Sequence, residues 1–174
     1  RKEMEHKNLL VVPGVEYFFG AFKGDVQTID SLHKMGIRAI TLMDNQYDVL
    51  SQKSQDGGNE NTLTAYGKSV IRKMNKKGML IDISHLGDAM QLNVIHESDA
   101  PVIASHSPVR GVHDVPRNIP DPILERLAEK GGAIMITFNS GDLAGVQEGR
   151  CSIERLVDHI DHAVKIAGID HVGI

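Results

Sequence analysis

The sequence predicts an α/β protein built on a parallel sheet, and three observations carry that reading. Six short apolar runs are separated by five amphipathic stretches, and at four of the junctions a Gly stands where the stretch ends and the run begins. The runs are 9–12, 39–42, 79–83, 102–104, 133–138 and 171–174. They are apolar almost throughout rather than alternating, which is how strands buried on both faces read. The stretches 26–35, 65–77, 88–97, 122–130 and 153–167 read as the intervening helices. Gly36, Gly78, Gly131 with Gly132, and Gly168 suit helix ends, because the left-handed backbone that closes a helix costs Gly little. Before 102–104 the stop signal is Pro101 instead. Thr64, Asp121 ahead of Pro122, and Ser152 are expected to cap helix starts by accepting a hydrogen bond from a first-turn amide. The segment 43–61, rich in Asp, Asn, Gln, Ser and Gly, reads as a long loop, either a substrate-facing lid or a surface excursion. This alternation fits a doubly wound open sheet and a (β/α) barrel equally well.

Composition narrows the function classes. At 174 residues the chain suits one domain, with 41% hydrophobic and 24% charged residues, close to globular averages and without a membrane-spanning run. A net charge of −4 with scattered Lys and Arg offers no basic stripe for a phosphate backbone, so no nucleic-acid partner is expected. Cys151, the lone cysteine, forms no internal disulfide and is compatible with the cytoplasm. The chain starts Arg1-Lys2-Glu3 and stops inside an apolar run, so a piece of a longer protein is expected.

Two predicted strands finish in Ser-His, placing His85 and His106 at equivalent carboxyl-terminal ends. Neighbouring strands lie about 4.8 Å apart, so two such side chains can reach one metal ion. Glu16, after the first run and the turn Pro13-Gly14, stands at the same end and could complete the site. A hydrolase based on Ser84 or Ser105 is disfavoured, since adjacent strand residues point to opposite faces. Arg117, on the loop after the His106 strand, could fork onto a substrate carboxylate. The cluster Asp158-His159-Ile160-Asp161-His162 reads as structural, being on a helix remote from the strand ends.

Gly78-Met79-Leu80-Ile81-Asp82-Ile83-Ser84-His85, then Pro101-Val102-Ile103-Ala104-Ser105-His106-Ser107, then Arg117-Asn118 occur in this order, with Gly36-Ile37-Arg38 and Thr41-Leu42 upstream. Together they resemble the renal (membrane) dipeptidase family from about Gly14 onward. The resemblance implies a (β/α)8 barrel in which two zinc ions activate a bridging water to hydrolyse dipeptides. Residues 1–174 would then be a single partial domain, an incomplete TIM-like barrel lacking the first strands. By the same resemblance Glu16 is the carboxylate bridging both metals, His85 and His106 bind the second metal, and Arg117 with Asn118 binds the dipeptide. Three departures accompany it. The family's first-strand His-x-Asp ligands and its acidic residue after the last strand have no counterpart, and Asp44 stands where the family has a His implied to help the oxyanion. A carboxylate there would oppose developing negative charge, so little activity and at most one weak zinc site are expected of this chain. The alternatives are a non-catalytic binding domain of the same fold, which Asp44 favours, and another metal-dependent barrel amidohydrolase, against which Arg117 argues. Six strands cannot close an eight-stranded ring, so a homo-oligomer is expected.

Overall fold

The computed structural model describes residues 11–16, 25–42, 51–53, 61–144 and 152–174. Within them, six parallel strands form one sheet: β1 (Gly14–Val15), β2 (Ala39–Thr41), β5 (Leu80–Asp82), β6 (Ile103–Ala104), β7 (Ala133–Met135) and β8 (Val172–Gly173). The sheet order β1-β2-β5-β6-β7-β8 follows the chain without reversal. A doubly wound sheet reverses direction at a switch point, whereas a barrel adds each strand beside the last. The observed order is the barrel's.

The helices are α1 (Thr28–Lys34), α2 (Ala65–Lys77), α3 (Asp88–Glu97), α4 (Asp121–Glu129), α5 (Ser140–Ala144) and α6 (Ile153–Ala167). In α2, the Thr64 hydroxyl accepts from the Gly67 amide at 2.9 Å, and Gly78 ends the helix at φ 64°. The Ser152 hydroxyl accepts from the Arg155 amide at 3.3 Å to start α6. One face of each helix covers the sheet: Val70, Ile71 and Met74 from α2, Val94 from α3, Leu124 and Leu127 from α4, and Ala163 from α6 are fully buried. The strand residues beneath them, Ile40, Ile81, Ala104 and Ile134, are buried as well. Their neighbours along each strand, Ala39, Thr41, Leu80, Asp82, Ile103 and Met135, face the other way and line a cavity of about 400 Å³. The period of two thus divides the sheet into a helix-covered face and an inner face that carries chemistry. Close strand–strand approach at Gly132 leaves no room for a side chain, since a Cβ there would meet the Val102 carbonyl oxygen at 2.2 Å.

Several expectations need correction. The first strand is not at 9–12 but at Gly14–Val15; residues 9 and 10 lie outside the described residues, and Val11 and Val12 are not in a strand. Pro13 marks the shift, because its carbonyl accepts from the Arg38 and Ala39 amides while Pro itself has no amide hydrogen to donate to a ladder. The segment 43–61 is not all loop: β3 (Ser51–Lys53) pairs antiparallel with β4 (Asn61–Leu63), and the rest of that segment lies outside the described residues. Asp121 is not the cap of α4. Pro120 takes that position, Asp121 begins the helix, and its carboxylate sits 2.7 Å from His162 Nε2. Pro101 does not end α3 either, because the helix stops at Glu97 and the Ser98 hydroxyl turns the chain by donating to the Ala100 carbonyl at 2.8 Å. The short helix α5 was not anticipated.

Candidate metal centre

Sheet register explains why three residues distant in sequence meet. Thr41 pairs with Asp82 and Asp82 with Ile103, so His85 and His106 each lie three residues beyond paired positions. Glu16 is one residue beyond the pair Val15 and Ile40 and so arrives level with Thr41. Their donor atoms converge at the carboxyl ends of the strands. His85 Nε2 and His106 Nε2 are 2.8 Å apart, and Glu16 Oε1 is 3.1 Å from the first and 3.3 Å from the second. These three form a group able to hold a metal ion. Around a tetrahedral ion with bonds of roughly 2.0–2.1 Å, donor atoms stand about 3.3 Å apart, so the ring separation need open by only a few tenths of an ångström. The donor set fits zinc, and a fourth position is left for water or another ligand.

His85 reaches this point through a left-handed backbone at φ 69°, and it is the one non-Gly residue with positive φ among those described. Burial lowers the His85 pKa, and the nearby Arg117 and His106 charges lower it further, while Glu16 and Asp82 pull the other way. The imidazole is therefore kept in its neutral, ligating form. Arg117 stands beside it, with Nη2 at 3.4 Å from His85 Nε2. Nη1 of the same side chain donates to the Ser107 hydroxyl at 2.9 Å, and Nη2 donates to the His106 carbonyl at 2.5 Å.

The loop bearing Arg117 is closed at its neck by a bridge between Val109 and Ile119 and is filled by Arg110. That guanidinium forks onto Asp88 at 2.6 and 2.8 Å and donates to the carbonyls of Pro116 and Asn118, each at 3.1 Å. It therefore grips the residues on either side of Arg117. Asn118 has a different placement from Arg117. It is 1% exposed, and Nδ2 donates to the carbonyls of His113 at 2.8 Å and Asp142 at 2.9 Å, tying the loop to α5. Its Nδ2 is thus engaged in holding the loop, while its buried Oδ1 has no hydrogen-bond partner among the described residues. Asp44 lies outside the described residues.

Beneath the ligands lies Asp82, which sequence reasoning passed over. It is 2% exposed, and its carboxylate accepts from the amides of Ser84 and Ser105 and from the hydroxyls of Thr41 and Ser105. Burial alone would raise its pKa, but the hydrogen bonds from Ser105, Ser84 and Thr41 outweigh it and hold the carboxyl below its usual value. A charged residue inside the apolar run Leu80-Ile81-Asp82-Ile83 was the available signal, since a buried carboxylate needs partners. Ser105 also corrects an expectation. Its Oγ lies 2.7 Å from His106 Nδ1, because the chain has left the strand and bends at Ser105 and His106. It is still no nucleophile of a triad, because here the hydroxyl lies between the carboxylate and the imidazole rather than at the end of the series. The helical pair behaves as expected. His159 and His162 do not converge on an ion; each is bonded separately to the Leu143 carbonyl and to Asp121.

The family described as membrane dipeptidase (peptidase family M19) matches residues 1–174. Among curated proteins the chain is similar to Dipeptidase verJ of Clonostachys rogersoniana, with 35% identity over 83% of this chain and 37% of that protein. It is also similar to Dipeptidase 3 of Mus musculus, with 40% identity over 64% of this chain and 22% of that protein. Among solved structures, a metallo peptidase from Rhodobacter sphaeroides, liganded with a phosphinate mimic of the dipeptide L-Ala-D-Ala, superposes with a TM-score of 0.81. Its identity to this chain is 25%, over 94% of this chain and 48% of that one. The dipeptidase AC, a metallo peptidase of the same family, gives a TM-score of 0.83 at 25% identity, over 94% of this chain and 50% of that one. The chain thus spans about a fifth to two fifths of the length of these curated relatives and about half of these solved structures.

Proposed function

The chain belongs to the membrane dipeptidase family, peptidase family M19, and from that premise we propose that it supplies part of a zinc-dependent dipeptide-hydrolysing site. The observation that carries the reading is the convergence of Glu16, His85 and His106 at one end of the sheet, with Arg117 against His85. When bound there, zinc would acidify a water and polarise the scissile carbonyl, so no protein nucleophile is required. The chain's own residues do the rest. Glu16 contributes the anionic ligand and His85 and His106 the neutral ones. Arg117, the fixed cation at the rim, receives the carboxylate of a dipeptide. Its positive charge also discourages protonation of His85.

Isothermal calorimetry tests this directly. The chain should take up no more than about one zinc ion, weakly, because three protein donors are fewer than a closed four-ligand site provides. Two tight sites, or none that is sensitive to Glu16→Gln, would refute it. Dipeptide turnover by the chain alone should be low, and in any longer form Asp44→His should raise it. Among the described strands β1 and β8 are the edges of the sheet, which supports self-association through them. Light scattering should then show a dimer or larger species at micromolar concentration. A stable monomer would count against it.

A further inference from the structure

The hydrogens around Asp82 can be assigned one by one. An ionised carboxylate only accepts, and both Asp82 oxygens are occupied: Oδ1 by the amides of Ser84 at 3.0 Å and Ser105 at 2.9 Å, Oδ2 by the hydroxyls of Thr41 at 2.7 Å and Ser105 at 2.5 Å. A serine hydroxyl has a single hydrogen. With that hydrogen on Asp82, Ser105 Oγ can offer only lone pairs to His106 Nδ1, 2.7 Å away. Nδ1 must then carry the imidazole hydrogen, and Nε2 of the neutral ring is bare. That bare nitrogen is the atom facing Glu16 Oε1 at 3.3 Å and His85 Nε2 at 2.8 Å.

We propose that Asp82 and Ser105 are positioning residues that fix His106 in the Nδ1–H tautomer and so present its Nε2 lone pair to a metal ion. Outer partners of this kind orient metal-bound histidines in general, and here the partner is a buried carboxylate acting through an intervening hydroxyl. The assignment has a consequence for the second histidine. In the metal-free protein the 2.8 Å contact between the rings needs one hydrogen, which must come from His85 Nε2; Arg117 Nη2, at the longer distance of 3.4 Å from that nitrogen, directs its short bond to the His106 carbonyl instead. Glu16 Oε1, 3.1 Å away, can share it. The two histidines are therefore held in opposite tautomers. Glu16 Oε1 and His106 Nε2 are left as two acceptors 3.3 Å apart without a hydrogen between them, an arrangement that a cation relieves.

This inference rests on the metal-centre reading, but its main readout does not. Long-range ¹H–¹⁵N NMR of the whole metal-free chain, labelled in histidine and held near pH 8, reports which ring nitrogen bears hydrogen. His106 should show the Nδ1–H pattern and His85 the Nε2–H pattern. In Ser105→Ala, His106 should lose that preference, and calorimetric zinc affinity should fall by roughly 10–100-fold, with Ser105→Thr restoring both. In Asp82→Asn the side-chain amide can donate to Ser105 and turn the serine hydrogen onto Nδ1, which should move the His106 hydrogen to Nε2. Wild-type His106 found as Nε2–H, or an unchanged tautomer in Ser105→Ala, overturns the proposal. If Asp82→Asn does not fold, the Ser105 pair still decides it. The expected tautomers in a chain that binds no zinc would uphold the relay and refute the metal centre instead.

Discussion

Two pairs of histidines in this molecule look alike in sequence and differ completely in space. His85 and His106 are 21 residues apart, yet their Nε2 atoms face one another at 2.8 Å with Glu16 against both. His159 and His162 are neighbours on α6, but their rings serve separate partners. His159 accepts from the Val109 amide through Nδ1 at 3.1 Å, so its Nε2 carries the hydrogen and donates to the Leu143 carbonyl at 2.9 Å. The ring is 0% exposed, and burial lowers its pKa despite the opposing effect of the Leu143 bond. His162 pairs with Asp121. Both nitrogens of His159 are consumed in joining α6 to the segments at Val109 and Leu143, whereas the strand-end pair keeps nitrogens directed at a shared point. Sequence proximity says little about ligation; the direction of the lone pairs decides it.

The contrast can be broken first at the centre itself. Replacing His85 or His106 by Ala should weaken zinc binding by more than the roughly 10–100-fold typical of losing an outer partner, while His162→Ala leaves it unaltered. Equal effects on calorimetric affinity would erase the distinction. The next largest effect should be on folding. His159→Leu strands the Val109 amide and the Leu143 carbonyl in the core, so about 2–4 kcal/mol of stability should disappear in urea unfolding without changing the zinc stoichiometry. Arg110→Met sharpens the comparison from the substrate side. Loosening the loop on both sides of Arg117 should reduce calorimetric affinity for a phosphinate dipeptide mimic by roughly tenfold, near 1.4 kcal/mol, with zinc affinity kept.

The smallest effect belongs to Asp30, where Lys73 and Lys77 both approach within 2.6 Å. Hydrogen bonds from these lysines lower its pKa from 3.8 to about 2. Because the folded value is the lower one, the contribution is present above pH 3.8 and disappears as pH falls through about 2. The gap in urea midpoint between wild type and Asp30→Asn should therefore be small at neutral pH, where these partly exposed charges are screened by solvent, and close between pH 4 and pH 2.

Legibility followed the physical origin of each feature. Helices α2 and α6 occupy 65–77 and 153–167 as their apolar spacing, Gly ends and capping hydroxyls indicate, because those are local preferences. The strand-end placement of Glu16, His85 and His106 was readable because register carries strand position into space. β3 and β4 were not readable, since Ser51-Gln52-Lys53 and Asn61-Thr62-Leu63 have no apolar alternation and owe their pairing to each other. The capping error at Asp121 arose because a distant residue, His162, competes for its carboxylate. Asp82 shows the same limit. Its partners Thr41, Ser84 and Ser105 come from three strand ends, and only the assembled sheet brings them together.

The left-handed backbone at His85 adds a constraint on excision. For an L residue with a Cβ this conformation costs on the order of 1–2 kcal/mol, which must be offset by surrounding structure. A synthetic peptide spanning 78–97 lacks Glu16, His106 and Arg117 and has nothing to hold that backbone, so His85 would relax to ordinary dihedrals and its ring would turn elsewhere. Replacing His85 by Asn should keep the main chain in place, since Asn tolerates positive φ, while the ring nitrogen is lost. Replacing it by Val should remove the nitrogen and disturb the turn as well. The position therefore separates backbone shape from ligand chemistry, two properties that a short motif such as Ser-His cannot encode apart from the folded sheet.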